Sequence, residues 1–491
     1  MTLTAAVEWE AVIGLEVHAQ LKTDTKLYCG CATRFGQPPN TQVCPVCLGL
    51  PGSLPVMNER AFRLALKAAL ALHCEIARFT KIDRKNYYYP DLPKNYQISQ
   101  YDLPFARKGW LEIRLPDGSP RRIGITRVHL EEDAGKLVHD ESGAGGDSGV
   151  DLNRTGIPLI EIVSEPDLRS AAEARAYMEA LAQILLYLDV CDCNMQEGSL
   201  RCDANVSLRP RGQAGLNTRR EIKNMNSFRF VEQAVAAEIA DQKTVYLGGG
   251  AVEQSTRLFD GQTGELRTMR TKEQAQDYRY FPDPDLPPIT LTPEMIAQVE
   301  AEIGELPEAR RDRYQTQLGL SAYDAGVMVE HKAMGDYFER LAGAGIPVKT
   351  AANWIISDCQ GVLKEKGRTF EDCGVAPERM AELLRLVEAG GINRATAREK
   401  VLPAMLDTGR PPGQIVREQG LAQVSDTDAI GKAVDEVLAA NQKLVQDYLG
   451  GKEATFNAIF GRCMKALGGK ANPAVLRAIL GQKLEALRET R

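Results

Sequence analysis

Residues 12–22, VIGLEVHAQLK, alternate apolar and polar positions without a break. Ile13, Leu15, Val17, Ala19 and Leu21 fall on one side of a period of two; Gly14, Glu16, His18, Gln20 and Lys22 fall on the other. That period predicts a β-strand with one face on a core and a carboxylate, an imidazole and an amide projecting from the other. Taken alone, such a strand also fits an edge with a solvated polar face. Asn58 is placed to cap a helix with Glu59 in its first turn and apolar Phe62, Leu64, Leu66, Leu70 and Leu72 following, ending near His73 and Cys74. Strands are predicted around 111–115 and 121–130, joined by a turn at Pro116-Asp-Gly-Ser, and again over 158–163. Residues 170–189 predict an amphipathic helix with Ser170 as cap and Glu173 as capping-box partner. Beyond it, Arg201, Asp203 and Asn205 alternate in a further strand.

From Thr292 helical periods take over and strand signals vanish. The pattern therefore predicts an α+β chain: a sheet-containing region over 1–292, a helical bundle over 293–409 and a smaller helical module over 410–491. A length of 491 residues requires more than one core. No apolar run of membrane-spanning length occurs. Glu8 and Glu10 stand where a signal peptide carries cations, so a cytoplasmic protein is expected. A net charge of −6 excludes a general nucleic-acid coat protein but not a local basic surface, and the last helices are rich in Lys and Arg. That basic tail suits docking to a structured RNA; a solvated helix surface is the alternative.

The chemistry concentrates in the first region. Cys29 and Cys31, then Cys44 and Cys47, form two close pairs across a Gly/Pro/Asn-rich loop, which suits a closed tetrahedral zinc site of structural role; reduced thiols in a loop are the alternative. Residues 81–105 interleave Lys81, Arg84, Lys85 and Lys94 with Tyr87, Tyr88, Tyr89, Tyr96 and Tyr101 between short strands. Cations beside rings and amides suit a nucleotide, while a tyrosine-rich strand packed on a sheet fits equally. Glu131, Glu132 and Asp133 end one strand, and Glu161 interrupts the apolar run PLIEIV. Several carboxylates returning to one place are most simply explained by a divalent cation, with oxygen ligands favouring magnesium or manganese. Cys191, Cys193 and Cys202 are read as plain thiols, and His73 as structural. No P-loop, dinucleotide fingerprint or nucleophile elbow occurs. An acidic, metal-suited site of this kind supports electrostatic phosphoryl transfer.

Eight ordered motifs, VIGLEVHAQLKT, CPVCLGLPGSLPV, DRKNYYYPDLPKNYQISQ, HLEEDAGK, LNRTGIPLIEIVSEPD, EGSLRCDANVS, EIKNMNSF and DYRYFPDPDLPP, closely resemble the B subunits of bacterial aspartyl/glutamyl-tRNA(Asn/Gln) amidotransferases, the GatB family. The resemblance covers essentially the whole chain, the tail resembling the YqeY-type module. It implies a cradle domain around an antiparallel sheet followed by helical domains that hold tRNA. It also implies ATP- and Mg²⁺-dependent phosphorylation of the side-chain carboxylate of misacylated tRNA(Gln) or tRNA(Asn). Amidation would follow, with ammonia from the amidase (A) subunit, in a GatCAB heterotrimer completed by the small (C) subunit. A non-discriminating aminoacyl-tRNA synthetase is a further implied partner. By the same resemblance His18, Glu131 and Glu161 are magnesium ligands. Glu16, Lys85, Asn86 and Asp203 serve the reaction, and Lys85 with Tyr87 the nucleotide. Cys29, Cys31, Cys44 and Cys47 match the zinc-binding version of the family. The rival readings are a tRNA-binding scaffold without catalysis and the archaeal-type GatE relative, whose large insertion has no counterpart here.

Overall fold

In the computed structural model, residues 7–115, 117–139, 148–271, 277–423, 427–469 and 471–489 are described. The alternation at the start becomes the strand Trp9–Gln20, with Ile13, Leu15, Val17 and Ala19 fully buried on one side. It is the centre of a nine-stranded sheet. On one flank lie Pro158–Ser164, Pro120–Glu132, Ala106–Arg114 and Glu75–Ile76; on the other, Leu200–Pro210, Arg220–Lys223, Ser255–Phe259 and Leu266–Thr271. The sheet is antiparallel throughout except where Arg220–Lys223 meets Ser255–Phe259. The glycine-rich 142–149 stretch falls mostly outside the described residues, and its described end enters the strand Ser148–Asp151.

Three helices share the core of this sheet. Glu59–Ala71 starts at Asn58, whose side chain accepts the Ala61 N–H at 3.2 Å, and buries Phe62, Ala65 and Ala69. Ala171–Tyr187 starts at Ser170, which accepts the Glu173 N–H, and buries Tyr177, Met178 and Leu181. The Glu173 carboxylate does not close a capping box. It accepts the Arg169 N–H at 2.9 Å and pairs with Arg121 at 2.9 Å, because a cation close by outcompetes the cap's own amide. The third helix, Phe228–Leu247, is not foreshadowed by the apolar pattern. It buries Glu238 and Gln242 completely, Glu238 facing Arg220 (3.3 Å) and Arg257 (2.9 Å), so polar residues occupy core positions and blur the helical period.

Within the tyrosine-rich stretch, Asp83–Asn86 pairs with Tyr96–Ser99, and Phe281–Pro282 adds a third strand beside them. The extended PDPDLPP segment is thus stitched into the first unit, with buried Asp283 accepting from Arg84 at 2.7 Å. The helix Pro293–Glu300 belongs there too, since Ile296, Ile303 and Leu306 pack on the same core. The chain parts into two compact units at Pro307 and Glu308, later than the 292 suggested by composition alone. The second unit is helical throughout its described length and holds two apolar clusters. One runs from Tyr314 to Val416 and the other from Ile430 to Leu484, so Ile415 and Val416, beyond the expected 409/410 division, still pack with the first cluster. A sheet-rich first part followed by helices is the α+β order the sequence predicts. No described helix is long and apolar enough to cross a membrane.

Candidate active site

Strand register assembles the site. Arg201, His18, Glu161 and His129 stand opposite one another on four neighbouring strands, so their side chains share the face away from the helices. Glu16 and Asp203 form the next pair along, and Glu131 lies two residues from His129 on the same face. The parity of the strand sends Glu132 the other way, to Lys94 and the Ile98 N–H. Glu16, His18, His129, Glu131, Glu161 and Asp203 line a cavity of about 420 Å³ with Lys85, Arg127, Asn205, Glu221 and Lys223. Tyr101, Tyr278 and Tyr280 close one side of it.

Distances within the row are short. Glu161 lies 3.5 Å from His18 and 3.3 Å from His129, and His129 is 3.0 Å from Glu131. The Glu131 carboxylate accepts from Ser99 at 2.7 Å and Gln97 at 2.9 Å, with the Lys85 ammonium 3.9 Å away. Arg127 sits 3.7 Å from Glu161. Burial disfavours charge on the carboxyl of Glu131, but Lys85 and His129 outweigh it and hold it at about 2. Burial likewise opposes a charged His129, and Glu161 with Glu131 overcomes it, raising the imidazole to about 9. His18 is raised for the same reason, and Lys85 is raised by Glu131 and Glu161 against its burial. Glu16 moves upward, through desolvation and then repulsion from Glu161, Asp203 and Glu221. The carboxyls of Glu131 and Glu161 are thus held below the usual carboxylate range by the groups packed around them.

His18, Glu131 and Glu161 each offer an atom within 4.8 Å of the others, a span that one divalent cation can bridge. Two carboxylates and one imidazole, with room left in the cavity, suit magnesium or manganese with water and substrate oxygens completing the shell. Among the described residues, Cys29, Cys31, Cys44 and Cys47 form a second such group. Their sulfurs also lie within 4.8 Å of one another, and Cys44 and Cys47 are 3.9 Å apart. A tetrahedron with Zn–S bonds of about 2.3 Å has sulfurs about 3.8 Å apart, so the donor set fits zinc. The Cys47 thiol is lowered to about 5 by hydrogen bonding from Cys29 and by Lys26 among others.

Not every expected site residue reaches the cavity. Lys85 does; Asn86, next along the strand, faces away and donates to the carbonyls of Arg84 (3.3 Å) and Arg279 (2.7 Å). It thereby ties its strand to the 278–280 segment. Tyr87 stands behind the wall, its hydroxyl 3.4 Å from Gln97 and its ring edge-on to Tyr278. Of the tyrosines that line the cavity, Tyr101 belongs to the tyrosine-rich stretch, while Tyr278 and Tyr280 come from the DYRYFP segment, whose pairing with the Asp83–Asn86 strand no local pattern reveals. His129 also joins the row; its place two residues before Glu131 in a strand is the signal that finds it.

Comparison with known proteins adds two findings. A family described as GatB/GatE catalytic domain matches residues 11–297, and one described as GatB domain matches residues 336–484. The B subunit of the aspartyl/glutamyl-tRNA(Asn/Gln) amidotransferase of Moorella thermoacetica is 55% identical over 478 residues, covering 97% of this chain and 100% of that protein. Its counterpart from Geobacter sulfurreducens is 54% identical over 480 residues, covering 98% and 100%.

Proposed function

The chain belongs to the GatB/GatE family, and from that premise we propose that it is the carboxylate-activating subunit of a tRNA-dependent amidotransferase. Its substrates are ATP and a tRNA misacylated with glutamate, tRNA(Gln), or with aspartate, tRNA(Asn). A side-chain carboxylate oxygen attacks the γ-phosphorus, the bond to ADP breaks, and an acyl phosphate forms. Ammonia then adds to the carbonyl carbon, phosphate leaves, and the nitrogen sheds a proton to give the amide. Activation is needed because a carboxylate repels nucleophiles and has no leaving group. No glutaminase nucleophile is evident in the sequence, so the ammonia comes from a separate amidase chain, with a small third chain completing the complex and a non-discriminating synthetase supplying the substrate. Relatives that match over their full length are named as B subunits, which favours that reading over a GatE-like one.

The observation that carries this reading is the row across four strands, with Glu131 beside it and Lys85 closing over it. A magnesium ion held by His18, Glu131 and Glu161 would neutralise charge on the phosphates. Lys85 holds a fixed positive charge next to Glu131 and attracts the transferring group. Arg127 orients Glu161, and Asn205 fixes Glu16 through a 2.9 Å hydrogen bond. Lys223, paired with Asp203 and 3.2 Å from Glu221, brings a further cation to the cavity. Glu16, its carboxyl pushed up, is a base suited to take the proton that ammonia loses. Zinc on the four cysteines is structural in this scheme, and the protein works in the cytoplasm.

The test uses the chain assembled with its amidase and small partners. Misacylated tRNA and γ-labelled ATP are supplied with magnesium and no amide donor, and wild type is compared with Glu131→Ala. Release of labelled phosphate that requires the charged tRNA and disappears in the variant supports the scheme. Equal release by both would move the kinase centre off this acidic face, leaving a tRNA-binding scaffold.

A further inference from the structure

The acidic row is not the end of the cleft. A second cavity of about 490 Å³ adjoins it, lined by Lys81, Asp83, Tyr101, Asp102, Tyr278 and Tyr280 among others, and the three tyrosines line both. Tyr101 stacks on Tyr280 at 4.3 Å with the planes 9° apart. Tyr280 meets Tyr278 edge-on at 6.1 Å, and Tyr278 meets Tyr87 edge-on at 5.9 Å. The Lys85 ammonium lies 5.2 Å from the centre of the Tyr278 ring. An unbroken run of rings thus leads from the cation over the acidic row outward to Tyr101.

Tyr101 is 62% exposed, yet it is not loose. Its N–H donates to the buried Asp83 carboxylate at 3.1 Å, one ring face rests on Tyr280, and neighbouring Gln100 is buried and bonded to Thr80 at 2.6 Å. A flat aromatic face held in place but open to solvent loses little entropy when another planar group settles on it. The charges give that group a direction. Lys81 is engaged by Asp83 at 2.9 Å and Asp102 at 2.8 Å, and with Asp277 and Arg279 also in the lining the carboxylates outnumber the cations three to two, which makes this cavity a poor seat for a polyphosphate. Phosphates are favoured at the Lys85 end instead, and the half-exposed Asp102 carboxylate suits a ribose hydroxyl or an exocyclic amine.

We propose that the exposed face of Tyr101 is the stacking platform for the base of an adenosine moiety whose other end reaches the acidic row. This deepens the functional reading above and rests on it. The reaction brings two adenosines to the cleft, that of ATP and the 3′-terminal one of the tRNA, and the experiment separates them. In the assembled complex, Tyr101→Ala and Tyr101→Phe are compared with wild type for tRNA-dependent ATP cleavage and for amidation. Loss of a base stack raises KM by about tenfold in Tyr101→Ala, with kcat within about twofold, and Tyr101→Phe restores it. A rise confined to KM for ATP assigns the platform to the nucleotide; one confined to KM for misacylated tRNA assigns it to the 3′ end. Unchanged KM values for both substrates, or a fall in kcat that Tyr101→Phe does not restore, overturns the platform. Wild-type complex that cleaves no ATP in response to charged tRNA overturns the functional reading beneath it, so the two failures are distinguishable.

Discussion

The cysteine loop and the acidic row are both groups of metal-suited side chains, each gathered within 4.8 Å, but they are built in opposite ways. The cysteines all come from residues 29–47, are donated by a loop too polar to fold by burial, and have little but one another and Lys26 for partners. The row takes His18, Glu131 and Glu161 from three strands of one sheet, and its carboxylates already hold Ser99, Gln97, His129 and Lys85. A closed set of four thiolates leaves no position for substrate, so a metal held there would serve the fold. A carboxylate set with spare coordination and built-in cations serves a reaction in which negative charge arrives and departs. The difference is one of supply: the loop would draw its shape from an ion on its thiols, whereas the row has its shape from the sheet.

The largest expected effect separates the two on activity. Glu161→Gln keeps the volume and the strand but removes a charge that faces both histidines. Charged-tRNA-dependent ATP cleavage should fall by about a thousandfold, as when a preorganised electrostatic group is lost at a reaction centre. Thermal unfolding should move little, because the core face of the sheet is untouched. Phosphate release and calorimetry on the same preparation check both halves. A variant that loses stability and keeps its rate would reverse the assignment of roles.

Cys44→Ser should do the converse. Losing a structural metal belongs among the severe destabilisations, here about 3 kcal/mol. Bound zinc, counted by elemental analysis of wild type and variant, should fall with the melting temperature, while kcat measured well below the transition stays within about twofold. A rate that collapses while the chain is still folded would mean that the loop takes part in the chemistry.

The same contrast explains what could be read in advance. A local motif is visible as spacing, so the cysteine cluster follows from residues 29–47 alone. Likewise the strand Trp9–Gln20 shows as alternation, and the helix starts at Asn58 and Ser170 as caps. The acidic row depends on register: His18 and Glu131 are 113 positions apart and meet only because two strands flank Pro158–Ser164 with particular pairings. Resemblance to a family supplied what periodicity did not. Parity within a strand places Lys85 and Asn86 on opposite sides, just as it separates Glu131 from Glu132. The aromatic wall from 278–280 was hidden because its partner strand lies about 190 residues earlier, a distance over which no local rule operates.

The smallest expected effect tests whether the cysteine loop is autonomous. Asn58 accepts the Ala61 N–H, while its side-chain amide donates to the carbonyls of Thr25 (3.1 Å) and Lys26 (3.3 Å), where the chain enters the loop. Lys26 in turn reaches the Gln42 carbonyl at 2.7 Å, inside the loop itself. Asn58→Ala should therefore cost about 1 kcal/mol as a lost cap, without changing kcat. In the double variant with Cys44→Ser the cost should be less than the sum, because a loop that has lost its ion no longer fixes the carbonyls that Asn58 holds. Denaturant midpoints of the two single variants and the double give the coupling. Simple additivity would show that the metal organises only the loop; a shortfall shows that it also secures the start of the helix, and through it the sheet on which the acidic row is laid.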